Sequence, residues 1–233
     1  MAGVREQRTP RRRRAVGRPR GQDAGVRARL IDAAIAQFIK VGIRAASLRA
    51  IAASAGVTPA MLHYYFGDKR QMTRAVVGER LLPAIEPLRA AIEAAGPDPA
   101  ELAGAFVNGV GDMVASHPWL PPLWIREVLC EGGALRDALF KRLIPQLPQR
   151  LAEQFALARA EGRLPADLDP RLMVVSLVGL TLFPAAGAPI WRQLFEADDL
   201  GDAALRRHTL ALLSHGMGAR PGRAVRAGRR KSA

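Results

Sequence analysis

Three residues at fixed spacing constrain the fold of this chain more than any other feature. Ala52 is small where two helices would cross, Gly56 follows four residues later, and Leu62 comes six residues further on. A small residue, a glycine turn and a leucine that plugs the pair are typical of two short helices joined tightly. The region around these residues therefore predicts a helix-turn-helix.

Neighbouring residues predict where the helices begin and end. Ser47 and Thr58 are candidate N-caps of the two helices, and Pro59 suits a first turn, where no backbone N–H is missed. An earlier helix, capped by Asp23 and ended by Gly42, is predicted by an apolar stripe at helical spacing. The stripe consists of Leu30, Ile31, Ala34, Ile35 and Phe38.

The second helix of the pair has an unusual outer face. Leu62 and Phe66 are four residues apart and are expected to face the core. A rotation of 100° per residue then turns Ala60, His63 and Tyr64 outward and places Met61 and Tyr65 on one flank. Tyrosine hydroxyls and imidazole N–H groups donate to DNA phosphates, and the rings contact sugars and thymine methyls. We expect this face to bind DNA, and an ordinary helical corner with aromatic packing is the alternative.

The charge of the chain is concentrated at its two ends. The net charge is +14 over 233 residues, yet residues 1–30 carry ten arginines against two acids and residues 219–233 carry six basic residues and no acid. The segment between them is neutral. Two basic ends favour a polyanion as partner. Nucleic acid fits better than a membrane, because neither end carries an apolar anchor.

Both basic ends are expected to be disordered arms, over residues 1–22 and 219–233. In the first arm, the stretch "GRPRG" at 17–21 holds Arg18 and Arg20 in a compact unit. Arginines in such a unit suit the negative potential of an A·T-rich minor groove. A basic arm can also serve solubility alone, and the sequence leaves both interpretations open.

The segment "FIKVGIRAASLRAIAASAGVTPAMLHYYFGDKRQMTRAVV" resembles the N-terminal domain of the TetR family of bacterial transcriptional regulators, over about residues 28–78. The resemblance implies an all-α fold with a three-helix DNA-binding domain at 23–80 and a helical effector-binding and dimerisation domain at 81–218. It also implies DNA contacts from Arg49 at the start of the second helix and from Lys69 at the start of the fourth. The recognition helix would be lined by Thr58, Ala60, Met61, His63 and Tyr64.

The recognition helix departs from the family pattern at one point. Many relatives have Ser-Lys-Gly-Thr or similar where this chain has Thr58-Pro59-Ala60-Met61. Thr58 keeps the cap, but a basic contact and a hydroxyl contact are absent. We therefore expect the reading of bases to depend on apolar contact by Ala60 and Met61.

The C-terminal half carries no DNA-binding signature. Helices are predicted at 99–116, at 136–161 with a bend at Pro145 or Pro148, and at 200–216, while the fourth helix is expected to end near 82 among prolines. Large apolar side chains favour a pocket for a small hydrophobic effector, oriented by Glu127 or Arg126. The predicted lining is Phe106, Met113, Trp119, Leu123, Trp124, Glu127 and Phe140. The same side chains can instead simply fill a core.

Residues 172–191 form a segment without charged residues, and this segment is long enough to span a membrane. Pro184, Gly187 and Pro189 interrupt the second half, so we expect a buried helix at 171–183 and no membrane partner. The resemblance implies that this helix and 200–216 pair with their copies in a second chain. Such a homodimer would present two recognition helices to a palindromic operator in double-stranded DNA.

Other chemistry finds little support in the sequence. His208 and His215 share a helical face, for which packing or exposure is the simpler explanation than a metal. Glu127, Cys130 and Glu131 share a helical face and could ligate a cation, sense oxidation through Cys130 or place a carboxylate in a pocket. A purely structural role is the alternative. No glycine-rich phosphate loop follows a strand. We expect no metal, no cofactor and no enzymatic activity, and a reducing compartment, because Cys130 is the only cysteine.

The sequence therefore predicts a TetR-like homodimeric repressor of a palindromic operator, released by a hydrophobic small molecule. Its expected place is the bacterial cytoplasm, on the nucleoid when bound to DNA. The alternative is a non-specific architectural DNA-binding protein that uses its basic arms.

Overall fold

The computed structural model describes residues 20–136 and 146–217, and the regular elements in these two ranges are all helices. The all-α fold class is confirmed. The expected arms, including Arg18, lie outside the described residues apart from the start of the first helix. The N-terminal helices are α1 (Arg20–Val41), α2 (Leu48–Ser54), α3 (Pro59–Phe66) and α4 (Lys69–Val76).

Helix α1 begins earlier than the sequence suggested. It starts at Arg20, so Asp23 lies inside the first turn and the prediction that Asp23 caps the helix was wrong. At the other end, Gly42 follows the last residue with a φ of 86°, a conformation that favours glycine. The predicted apolar stripe of α1 is buried.

The fourth helix does not end near residue 82, as its prolines suggested. Helix α4 passes through a π-helical turn (Val77–Leu81) into α5 (Leu82–Ala94) without leaving helical geometry. The Leu82 amide donates to the Val77 carbonyl, five residues back. Pro83 then falls in a first turn, where its missing N–H is tolerated, and only Pro87 lies inside the helix.

The C-terminal helices follow the predicted pattern with shifted ends. They are α6 (Pro99–Ser116), α7 (Leu120–Trp124) extended by a π-helical turn (Ile125–Leu129), α8 (Gln146–Ala160), α9 (Pro170–Ala186), α10 (Ala188–Leu194) and α11 (Asp202–Met217). The bounds of α6 are those predicted. The segment 137–145, which includes the expected bend at Pro145, lies outside the described residues.

Helix α9 is longer than the 171–183 expected from its prolines. Asp169 caps it by accepting from the amide of Arg171 at 2.8 Å, and the helix runs past Pro184 to Ala186. The Arg171 side chain and the capped amides lower the pKa of the Asp169 carboxyl well below its usual value. In the described residues no single helix is long and apolar enough to cross a membrane. Helices α9 and α10 reach that length and apolar character only when taken together, and they are bent by 70° relative to each other.

Two sets of contacts organise the C-terminal half. Helices α5 and α11 pack on α6, and α9 packs against α8 and α6. The short α7 contacts both α9 and α1. The short α7 and the continuous helix formed by α4 and α5 therefore both connect the C-terminal helices to the helix-turn-helix end of the molecule.

Candidate nucleic-acid interface and effector cavity

Local side-chain caps build the helix-turn-helix as the sequence predicted. The Ser47 hydroxyl accepts from the amide of Ala50 at 3.1 Å, and the Thr58 hydroxyl accepts from the amide of Met61 at 3.3 Å. Gly56 has a φ of 67° in the turn between α2 and α3, where a residue with a side chain would be strained. The position of α3 is thus fixed by backbone conformation and by capping.

The two faces of α3 differ as predicted. Leu62 and Phe66 are buried, whereas Ala60, His63 and Tyr64 are exposed. Tyr64 is 76% exposed. The two flank residues, Met61 and Tyr65, are half-buried. The helix therefore presents a polar-tipped aromatic surface on the side opposite its core contacts, although contact with DNA stays a prediction.

The His63 ring is held in one orientation. Its Nδ1 lies 2.6 Å from the carbonyl oxygen of Gly67, and because a carbonyl only accepts, Nδ1 carries the proton. A neutral His63 therefore presents Nε2 as an acceptor, suited to the exocyclic amino groups of adenine and cytosine. The expected donation from His63 to a phosphate requires the protonated ring.

The two basic residues expected at DNA have different settings. Arg49 is exposed in the first turn of α2. Lys69, at the start of α4, donates through Nζ to the carbonyls of Arg44 at 2.6 Å and Ala46 at 3.1 Å. An ammonium has three donors, so one remains for a phosphate, while the other two tie α4 to the loop before α2. Arg20 starts α1, and its side chain is not described.

Arg27 is a residue whose role the sequence analysis missed. Its guanidinium lies over the Phe66 ring, 4.5 Å from the centroid, and pairs with Glu79 at 2.5 Å. It also donates to the Tyr65 carbonyl at 3.3 Å. The Glu79 hydrogen bond raises the pKa of Arg27 above its ordinary value. Arg27 therefore braces α3 against the π-helical turn after α4, a contact that no local spacing reveals.

An apolar cavity of about 310 Å³ lies within the C-terminal half. Three of the predicted pocket residues, Phe106, Met113 and Trp124, line it. The other lining residues come from α5, α6, α7 and its π-helical turn, α8 and α9: Ile85, Leu88, Val110, Leu120, Leu129, Leu147, Pro148, Leu151, Val174, Val175, Val178 and Leu182. Most of these were missed, because residues far apart in sequence meet only in the folded chain.

The remaining predicted pocket residues lie elsewhere. Leu120 and Trp124, four residues apart, share the helical face that meets the cavity, whereas Leu123 and Glu127 share a neighbouring face and do not line it. Trp119 is half-buried with its ring 5.7 Å from that of His117. Trp119, Leu123 and Glu127 therefore do not line this cavity, and Phe140 lies outside the described residues.

Glu127 is instead a buried link between two parts of the molecule. It is 4% exposed, and its Oε1 accepts from the amide of Ile43 at 2.9 Å while its Oε2 accepts from the amide of Ala134 at 3.0 Å. A Cβ at Gly42 would lie 3.2 Å from Oε1, so a side chain there would crowd the carboxylate. Arg126 adds a bond from Nη1 to the Ile39 carbonyl at 3.3 Å. The end of α1 is thus attached to the segment after α7.

Beside this link lies a second cleft, of about 690 Å³. Cys130 and Glu131 line it together with Glu127, Arg44 and Arg126, and Cys130 is exposed. In the ranges 20–136 and 146–217, no three His, Cys, Asp or Glu side chains are grouped to hold a metal. His208 lines a groove between α9, α10 and α11, and His215 Nδ1 lies 2.6 Å from the Ala211 carbonyl.

A large apolar surface covers α9, α10 and α11. Phe183 is 68% exposed, Ile190 is 74% exposed and Leu212 is 50% exposed. Leu172, Val175, Leu194 and Phe195 are exposed on the same three helices and their connection. Leu213 belongs instead to the core of the protomer, with 8% exposure. Exposed large apolar side chains grouped on neighbouring helices commonly mark an interaction surface.

Comparison with known proteins finds a family model that matches the helix-turn-helix region and solved structures that are similar in fold over most of the chain. The family model described as bacterial regulatory proteins, tetR family, matches residues 30–76. No curated protein matches the chain.

Three solved structures are similar in fold. The fatty acid degradation regulator FadR from Bacillus halodurans is 20% identical, with 82% of this chain and 95% of that chain covered at a TM-score of 0.61. FadR from Bacillus subtilis in complex with stearoyl-CoA is 20% identical, with 82% and 99% covered at 0.61. The ketosteroid transcriptional regulator KstR2 of Mycobacterium tuberculosis is 19% identical, with 88% and 98% covered at 0.66.

Proposed function

We propose that this chain is a homodimeric repressor of a palindromic operator. It is a helix-turn-helix transcription regulator, and by its residues 30–76 it belongs to the tetR family of bacterial regulatory proteins. A hydrophobic small molecule would release it. The observation that carries the proposal is the outer face of α3, where Tyr64 is 76% exposed opposite the buried Leu62 and Phe66. A polar-tipped aromatic face of this kind fits a DNA groove better than open solvent.

The DNA contacts follow from the groups that this surface leaves available. Tyr64 has a hydroxyl for phosphate, and Ala60 and Met61 offer apolar contact to thymine methyls. The exposed Arg49 and the remaining donor of Lys69 would hold the backbone on either side of α3. Backbone contacts fix the register of the protein on DNA, while the face of α3 reads the bases.

The dimer would form through the exposed apolar surface of α9, α10 and α11. Leu172, Val175, Gly179 and Phe183 recur along one exposed face of α9. Phe183, Ile190 and Leu212 are each at least half exposed in the protomer, which is costly for large apolar side chains in water. A second copy offers the same surface and so can cover it, as a two-fold interface requires.

The effector would occupy the cavity of about 310 Å³. Its volume is at the lower end of the range of ligand sites, roughly 300–1,000 Å³. The side chains that line it are apolar apart from the indole nitrogen of Trp124, among the described residues. FadR from Bacillus subtilis was solved in complex with stearoyl-CoA, so molecules with acyl chains are sensible first probes for this chain.

The signal would pass through α7 and its π-helical turn. Leu120, Trp124 and Leu129 line the cavity, and Glu127 in the same segment holds the amide of Ile43. An effector that displaces this segment would move the loop between α1 and α2, which Lys69 also holds. This route does not depend on a separate swing of α4, which forms one continuous helix with α5. The effector must bind the released state more tightly than the DNA-binding state.

We also propose that the protein is located in the cytoplasm, on the nucleoid when it is bound to DNA, and that it has no catalytic role. A non-specific architectural protein is the alternative. It is less well supported, because binding through basic arms needs neither the outer face of α3 nor an apolar cavity. A competition gel separates the two: a regulator keeps one palindromic duplex bound under excess random DNA. Equal competition by random and palindromic DNA would favour the architectural protein.

A further inference from the structure

The turn that follows α3 has an uncommon backbone conformation. Gly67 has a φ of 70° and a ψ of −72°, and the Asp68 amide donates to the Phe66 carbonyl, two residues back, at 2.8 Å. This combination defines the rare and strained form of the γ-turn, which glycine tolerates best because it has no Cβ. Strained backbone of this kind persists only where its surroundings hold it, and it is concentrated at functional sites.

This turn holds the ring of His63. The Gly67 amide donates to the His63 carbonyl at 2.8 Å, and the Nδ1 of His63 donates to the Gly67 carbonyl at 2.6 Å. The rings of His117 and His215 instead approach the carbonyl of the residue four positions earlier in the chain. His63 therefore bonds forward, to a carbonyl that the γ-turn places within its reach.

One nitrogen of the His63 ring is left for a partner outside the chain. Because Nδ1 carries the proton, Nε2 of the uncharged ring has a lone pair and only accepts. The two nitrogens lie on opposite sides of Cε1, so Nε2 points away from the Gly67 carbonyl. The side chain is exposed, on the face of α3 opposite the buried Leu62 and Phe66.

We propose that His63 reads a base: Nε2 of its uncharged ring accepts a hydrogen bond from the exocyclic amino group of an adenine or a cytosine in the major groove. The inference rests on the proposed function and replaces the donation to a phosphate that the sequence suggested for this residue. A phosphate oxygen only accepts, so it offers no proton to Nε2. The amino groups of adenine and cytosine are the donors that the major groove presents.

This contact complements the other residues on the outer face of α3. Ala60, three residues earlier on the same face, is exposed and offers only a methyl group. Apolar contact of this kind recognises the methyl group of thymine but no hydrogen-bonding group. His63 therefore supplies a polar contact to a base that Ala60 and Met61 cannot make, and the turn at Gly67 fixes which nitrogen makes it.

Removal of one amino group from the DNA tests the proposal. Selection from a random pool gives the operator, and the base pair at which His63→Phe loses its preference is the contacted pair. In one half-site, its adenine is replaced by purine, or its cytosine by 2-pyrimidinone, which lack the amino group. At pH 8, where an ordinary imidazole is uncharged, the wild type should bind the altered duplex about threefold to tenfold more weakly, the range of a net hydrogen bond.

The altered duplex also weakens base pairing, so the loss is compared between proteins. His63→Phe keeps a ring without nitrogen and should bind both duplexes within about twofold. His215→Phe is the matched control, because His215 makes a bond of the same length through Nδ1 on α11. It should lose as much affinity as the wild type.

A second readout needs no DNA. The imidazole nitrogen signals of the free, nitrogen-labelled protein at pH 8 should show the His63 proton on Nδ1. The His63 signals are assigned by their absence from His63→Phe.

Three results would overturn the proposal while a selected palindrome kept the proposed function. The first is an equal loss of affinity in wild type and His63→Phe, and the second is a His63 proton on Nε2. The third is operator affinity that falls from pH 6 to pH 8 in the wild type but not in His63→Phe, which would assign a charged ring to a phosphate. Failure of the wild type to select any palindrome would remove the proposed function and this inference together.

Discussion

The Oε1 of Glu127 accepts a hydrogen bond from the backbone amide of Ile43 at 2.9 Å, across 84 residues of sequence. This bond attaches the loop before the helix-turn-helix to a segment that also forms a wall of the apolar cavity. Its other oxygen is held by the amide of Ala134 at 3.0 Å. Both oxygens of the carboxylate thus accept hydrogen bonds, and removal of the carboxylate should change the position of the DNA-binding end.

Glu127→Gln should weaken coupling between effector and operator. A neutral amide offers one acceptor oxygen, so one of the two backbone amides loses its partner, at a cost of about 1–3 kcal/mol if it is the buried amide of Ile43. We expect operator affinity to fall about tenfold, effector affinity to change less than twofold, and the effector to release the operator less completely. Gel shifts with and without effector measure all three.

Glu131→Gln is the control for this experiment. Glu131 lines the cleft of about 690 Å³ together with Glu127, but its side chain is exposed, so Glu131→Gln should leave the operator response unchanged. An operator response in Glu127→Gln equal to that of Glu131→Gln would show that the link carries no signal.

Tyr64→Ala should remove operator binding without affecting the fold. The side chain is 76% exposed, so the free energy of unfolding should change by less than about 0.5 kcal/mol. Loss of its contacts should cost about 1–3 kcal/mol of operator binding per subunit, so a dimer that lacks both side chains should leave the operator free at concentrations at which the wild type binds it. His63→Ala should also weaken binding but costs some stability, because the ring is bonded to the Gly67 carbonyl. Normal gel shifts for Tyr64→Ala would mean that another face of α3 meets DNA.

Phe183→Glu and Leu212→Glu should give folded monomers. Both side chains are exposed in the protomer, yet in the proposed dimer each carboxylate would be buried without a partner, which costs several kcal/mol. Leu213→Glu should instead unfold the chain, because Leu213 is 8% exposed. Sedimentation velocity and thermal melting distinguish these outcomes.

Leu157→Glu is the matched control, since Leu157 is exposed on α8, which is not one of the three helices of this surface. It should leave the dimer unchanged. Unchanged dimers of Phe183→Glu and Leu212→Glu would place the interface elsewhere.

How far the sequence predicted the structure depended on the range of the interactions. The caps Ser47 and Thr58, the two faces of α3 and the bounds of α6 were predicted correctly, because they depend on spacing and on nearest neighbours. The continuity of α4 with α5 was not predicted, because a π-helical turn places Pro83 in a first helical turn, where its missing N–H is tolerated. The bonds of Glu127 and Arg27 were not predictable either, because their partners are distant in sequence and meet only through packing.

Deletion of residues 1–19 should lower affinity for all DNA without changing the ranking of sites. The deletion removes seven arginines and leaves α1 complete. Each neutralised phosphate contributes about 0.9 to the slope of log affinity against log salt, so three or four contacts correspond to a fall of about three per subunit. Salt titrations on operator and random duplexes measure this.

A different result would assign the arm a reading role. If "GRPRG" reads the minor groove, the truncated protein should lose its preference for A·T-rich flanks, which operators with exchanged flanks would show. An unchanged salt slope would leave the arm as a solubility device.

Selection of bound duplexes from a random pool tests the central claim most directly. The wild-type protein should enrich a palindrome whose half-sites are about one helical turn apart, with two chains per duplex. Tyr64→Ala, under the same conditions, should enrich nothing. Recovery of the unselected pool by the wild type, or enrichment of the same palindrome by Tyr64→Ala, would contradict a regulator that reads its operator through the outer face of α3.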